Sequence, residues 1–121
     1  MCNRYGYLAP VSRLVDEFSQ AKIPLRFAFD ATPNIAARDP VRPTDSAPVV
    51  RAPDPSDPGA AVELIEARLW LVPFFHKGPV KDWKPLCTNA RSETVASTPS
   101  FREAYRRRRR LVPASHWFEF L

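Results

Sequence analysis

Two cysteines, Cys2 and Cys87, are too few for a disulfide framework. The amino terminus lacks a charged-then-apolar leader pattern, and no apolar run approaches the about 20 residues that a membrane-spanning helix needs. No internal repeat is visible. The cysteines and the two histidines, His76 and His116, match no CxxC or HxxxH spacing, so no metal site is expected and no cofactor is implied. These absences point to a reducing compartment, a cytoplasmic and nucleoid-associated setting in which both thiols stay free.

At 121 residues the chain is long enough for one domain with a real core and too short for two. Hydrophobic residues make up 45%, so burial is affordable and wholesale disorder is not expected. Lys+Arg number 18 against 13 Asp+Glu, a formal charge of +5. An excess of that size favours a polyanionic partner, nucleic acid first, because each neutralised phosphate releases counterions.

Along the chain, Val11 to Ala21 reads as a short helix entered through Pro10. Val11, Leu14, Val15 and Phe18 share one face while Arg13, Asp16 and Glu17 face away. Pro24 closes it, and Leu25 to Phe29 alternates as a half-buried strand. Residues 32–58 hold half of the 14 prolines, and the one glycine near this stretch, Gly59, lies just past its end. Proline fixes φ and removes a donor, so this segment is expected to be irregular and pinned across the domain surface, with one short strand at Ala47–Arg51. Val62 to Val72 is the strongest strand candidate, its alternation slipping near Ile65 as a bulge would make it. Leu86 to Ala96 is a mixed strand or loop. Ser100 and Glu103 form a capping-box pattern that opens a helix from Phe101 to about Arg108. Leu111-Val-Pro and Trp117 to Leu121 are two last apolar segments, and the chain stops inside the second. The expectation is a chain cut from something longer.

Several residues can carry chemistry, each with a plainer alternative. Removal of Met1 would leave Cys2 with an α-amine and a thiol on adjacent carbons. The amine, with a pKa of about 7.7–8.0, is partly neutral and can add to an aldehyde as a Schiff base, after which the thiol closes a thiazolidine on the same carbon. The alternative is a small buried hydrophobe. Glu119 lies in an aromatic strand pattern with Trp117 and Leu121 on its face. There a carboxylate can serve as a general acid or base, or simply face solvent. Asn89, Arg91 and Glu93 would share one face of a strand, where Arg91 can grip a phosphate with its planar fork, or that face is merely solvated. The run Arg106 to Arg110 reads either as a phosphate-binding surface or as arginines that complement the helix dipole and point several ways.

Four segments in order resemble the SRAP family, the SOS-response-associated peptidases or abasic-site-processing proteins. They are Met1-Cys-Asn-Arg-Tyr5, Arg68-Leu-Trp-Leu-Val-Pro73, Asn89-Ala-Arg-Ser-Glu-Thr94 continuing through Pro99-Ser-Phe-Arg102, and Arg109-Arg-Leu-Val-Pro-Ala-Ser115 leading to Trp117-Phe-Glu-Phe120. The resemblance implies an α+β fold with a twisted, barrel-like mixed sheet and short flanking helices, incomplete at the C-terminus. It covers residues 1–121 as a single domain. It implies that Cys2 is the nucleophile toward the ring-opened aldehyde of an abasic site in single-stranded DNA. Asn89 and Arg91 would hold the backbone and open-chain sugar, and Arg4 and Arg68 would add phosphate contacts. Trp70 would offer an apolar surface to a base, and Glu119 would shuttle protons. The chain departs from the family pattern at Asn3 and His116 (usually Gly), Leu69 (Trp) and Arg110 (Cys), and a downstream catalytic His has no counterpart. The expected partner is single-stranded DNA with abasic sites, with no membrane and no metal, the protein acting as a monomer or with a second chain that completes the fold. Two other readings stay open: a degenerate, non-enzymatic nucleic-acid-binding half-domain, and a cysteine-dependent peptidase acting on its own leader.

Overall fold

 The structure is a computed structural model that describes residues 3–27, 32–54, 56–57, 61–85 and 87–119. In chain order they form β1 (Tyr5–Tyr7), α1 (Val11–Gln20), β2 (Leu25–Phe27), β3 (Arg38–Val41), β4 (Ser46–Arg51), β5 (Val62–Arg68), a single 3₁₀ turn (Val80–Asp82), α2 (Pro99–Arg107), β6 (Arg110–Leu111) and β7 (His116–Trp117). The α+β class read from the sequence holds. Among the described residues the strands make two sheets, ordered β3-β1-β7 and β2-β5-β4-β6, and they do not close into a barrel.

Helix α1 follows its pattern. Val11 and Leu14 are buried, Val15 and Phe18 pack beside them, and Arg13 and Glu17 pair across one exposed turn at 3.2 Å. Its stop is a Schellman turn: the Ile23 N–H donates back to the Phe18 carbonyl at 3.0 Å and Lys22 takes the left-handed conformation at φ 58°. Pro24 follows, where it cannot extend the helix. Together with Tyr5, Tyr7, Val41, Ala47, Val50 and Leu64, the α1 stripe forms the core.

The 32–58 segment contributes more ladder than its prolines suggest. The expected strand appears as β4, and β3, which the sequence did not announce, pairs antiparallel with β1. β4 tolerates Pro48 because β6 covers only Val50 and Arg51, so at Pro48 the strand has a ladder partner on one side, β5. A tight turn at Arg42–Asp45 carries the chain from one sheet to the other. It is held by Arg42 and Asp45, with Thr44 at φ 81°.

Two local expectations are corrected. The β4–β5 register runs without a slip from Ser46↔Arg68 to Arg51↔Glu63, so there is no bulge at Ile65; the register shift lies between Tyr5 and Tyr7 on β1 instead. The Ser100/Glu103 capping box does not form either. Thr98 is the N-cap and Pro99 starts α2, which leaves Ser100 inside the helix, while Glu103 pairs forward with Arg107 at 3.4 Å. Among the described residues no helix is long and apolar enough to cross a membrane.

Candidate nucleic-acid site

β1 is the central strand of the three-stranded sheet. It pairs antiparallel with β7, Tyr5 opposite Trp117 and Gly6 opposite His116. The pairing continues beyond the strands proper: Ser115 N–H donates to the Gly6 carbonyl at 2.8 Å and Phe118 N–H to the Arg4 carbonyl at 3.1 Å. The Arg4 guanidinium lies over the Phe118 ring, 4.7 Å from its centroid. Residues 3 and 119 are therefore each one step beyond a hydrogen-bonded pair, Asn3 before Arg4 and Glu119 after Phe118. Glu119 is exposed. Cys2 lies outside the described residues, as do Phe120 and Leu121.

Tyr5 also lines an open cleft of about 370 Å³. Arg68, Trp70, Thr88, Arg110 and Val112 are among its walls. Arg68 and Trp70 leave β5 together, the guanidinium 5.8 Å from the indole centroid. The indole N–H donates to the Pro85 carbonyl at 2.9 Å, and the Leu71 N–H to the Cys87 carbonyl at 3.2 Å, which binds the 85–88 segment to the end of β5. Buried Cys87 thus serves as a wall of the cleft. Three cationic side chains line this space, Arg68, Arg108 and Arg110, and no described carboxylate does. Burial lifts the Tyr5 phenol above its ordinary pKa, so its hydroxyl stays neutral.

Asn89 and Arg91 do not lie on a strand. They are exposed in the loop that follows Thr88, and the chain then turns through hydrogen bonds from Thr94 and Val95 back to the Arg91 carbonyl. The shared strand face of Asn89, Arg91 and Glu93 therefore does not arise. Asn89 is tied to the cleft at one remove: its Nδ2 donates to Oγ1 of Thr88 at 3.2 Å. Of the residues singled out from the sequence, Arg68 and Trp70 line the cleft, Arg4 and Glu119 belong to the β1–β7 end, and Asn89 and Arg91 border the loop beside it.

Sequence reasoning missed the His116–Asp39 pair and the part that Arg51 plays beside the arginine run. Both depend on partners far along the chain, Asp39 on β3 and Arg110 on β6, and neither leaves a local pattern. Among the described residues no group of three His, Cys, Asp or Glu side chains could hold a metal ion.

The family model for the SOS response associated peptidases matches residues 1–121. No curated protein and no solved structure matches the chain. With a match over its full length, the chain belongs to the SOS response associated peptidase (SRAP) family.

Proposed function

We propose that this protein captures abasic sites in single-stranded DNA through a covalent thiazolidine on Cys2, exposed by removal of Met1, in a single domain spanning residues 1–121. The observation that carries this reading is the convergence of segments distant in sequence on one cationic cleft. Tyr5 from the first, Arg68 to Val72 from the second, Thr88 beside the third, and Arg110 with Val112 from the fourth all face it. Convergence of this kind is what a shared ligand requires and what unrelated local roles do not explain.

The chemistry balances without a co-reactant. The Cys2 α-amine adds to the aldehyde carbon of the ring-opened sugar, and the carbinolamine loses water to give the Schiff base. The thiol then adds across the C=N bond, its proton passing to nitrogen, and the five-membered ring closes with one water released overall. Glu119 carries protons to the leaving hydroxyl and back. The Arg4–Phe118 backbone bond supports that role, because it brings Arg4 and the 118–119 segment side by side. Arg4 and Arg68 bind phosphates, Asn89 and Arg91 hold the backbone and the open sugar, and Trp70 stacks on a base. Holding the aldehyde beside the aminothiol turns a slow bimolecular condensation into an intramolecular one.

A peptidase reading has the family's name in its favour but needs a cysteine activated by a histidine. Cys87 is buried, and among the described residues it hydrogen-bonds neither histidine; His76 contacts the Pro79 carbonyl and His116 contacts Asp39.

The test is incubation with a single-stranded oligonucleotide carrying one abasic site. A heat-stable, slower-migrating product should form and should be lost in Cys2→Ser. No product from the wild-type chain, or one that persists in Cys2→Ala, overturns the proposal.

A further inference from the structure

A second groove shares Arg108 and Arg110 with the cleft. It is lined by Arg51, Ala52, Pro53 and the whole run from Arg106 to Arg110. Its walls concentrate charge of one sign. Arg51 and Arg110 stand directly opposite each other across the β4–β6 ladder, and like charges in that position repel. Burial, followed by the Arg51 and Arg108 charges, pushes the Arg110 guanidinium below its ordinary pKa.

The local neutralisation is incomplete. Arg51 pairs with Glu63 at 2.5 Å and Arg107 with Glu103 at 3.4 Å, while Arg109 turns back onto Tyr105, 4.0 Å from the ring centroid with its Nε–H on the Tyr105 carbonyl. Among the described residues Arg106, Arg108 and Arg110 are in no ion pair. Six guanidinium groups therefore face two carboxylates. The dipole account of an arginine-rich helix end explains Arg106 and Arg107, which lie in the last turn of α2. It does not explain Arg110, which lies on β6, or its placement opposite Arg51.

We propose that this groove binds the sugar-phosphate backbone of the single strand next to the captured nucleotide, as a second site reached from the cleft over Arg108 and Arg110. Both arginines line the cleft and the groove, so a strand can pass from one to the other without leaving cationic surface. The identity of the polyanion rests on the reading given under Proposed function; the preference for an anion rests on the clustered arginines. Guanidinium forks suit phosphate oxygens, and the contacts carry no base information.

The experiment measures binding of a fluorescent, undamaged single-stranded oligonucleotide to the full chain across a salt series. Replacing Arg106, Arg108 and Arg110 together by Gln removes three contacts and should flatten the slope of log affinity against log salt by about 2, at roughly 0.7 per phosphate. The two proteins should converge near 1 M salt and differ by about 100-fold at 0.1 M, as that slope dictates. The same three positions as Lys should keep the slope, and Pro53→Glu, an exposed site on the groove wall, should weaken binding on its own. If circular dichroism shows the Gln variant unfolded, Pro53→Glu decides. Unchanged affinity and slope in the folded variants overturn the proposal, as does tighter binding of poly-glutamate than of the oligonucleotide. A wild-type chain with an arginine-dependent slope but no covalent product from an abasic strand leaves the groove standing and removes the crosslink. Normal crosslinking with an unchanged slope does the reverse.

Discussion

The imidazole of His116 reaches across β1 to Asp39 on β3, its Nε2 3.1 Å from the carboxylate Oδ1. It crosses the strand at Gly6, which His116 directly opposes. A Cβ on Gly6 would collide with the ring. The glycine is thus needed here for close approach, and its missing side chain makes room for a histidine where the family usually has glycine. The His116 ring also meets Phe118 edge to face, with centroids 5.4 Å apart. This ties the three-stranded sheet to the segment that carries Glu119.

Gly6→Ala should therefore destabilise the protein by about 1–3 kcal/mol, the usual cost of overpacking. His116→Gly in the same chain should recover most of that loss, because it removes the atoms the new methyl meets. Thermal unfolding of the two single variants and the double variant checks this. Additive losses would show that the clash is not the cause.

Thr44 sits at φ 81°, a region that a β-branched residue adopts only under strain. Its N–H donates to the Leu69 carbonyl at 3.0 Å, and Leu69 donates in turn to the Asp45 carbonyl at 2.8 Å, so the turn cannot relax without releasing the end of β5. Thr44→Gly removes about 1–3 kcal/mol of strain and adds about 0.5–1 kcal/mol of unfolded-chain entropy. The expected net result is a stabilisation of about 1 kcal/mol, seen as a rise of a few degrees in the melting temperature. A fall would show that the hydroxyl or methyl of Thr44 contributes more than its backbone costs.

Trp70 should contribute to strand binding by stacking rather than by charge. Trp70→Ala is expected to lower affinity for an undamaged single strand by about 1–3 kcal/mol while leaving the salt slope unchanged. Trp70→Phe keeps a stacking face and gives up the indole bond to Pro85, so it should recover part of the loss. A changed slope in Trp70→Ala would mean that the indole acts by holding Arg68, 5.8 Å away, in place.

The local parts of this fold were legible where one element carries its own pattern. The α1 stripe, with Val11 and Leu14 buried, follows from helical spacing alone, and β4 could be seen between its flanking prolines. What depends on a distant partner could not be read in the same way. β3 is polar and contains Pro40, and only its pairing with β1 makes it a strand. β5 ends at Arg68 rather than Val72 because Leu69 and Leu71 turn their N–H groups to Asp45 and Cys87. The site shows the same division. The segment Arg68 to Pro73 singled out Arg68 and Trp70, which stand two residues apart and line one cleft. The convergence of Tyr5, Thr88 and Arg110 on them is a product of the sheets.

Covalent capture uses one atom pair, the nitrogen and sulfur of residue 2, and mass spectrometry of the DNA-linked peptide tests it most directly. After reaction with an abasic single strand and digestion, without borohydride, the adduct should map to a peptide that begins at Cys2 and lacks Met1. Its mass should equal peptide plus strand less one water. An adduct on a lysine that survives only after borohydride reduction, or a chain that retains Met1 and still crosslinks, would contradict the account.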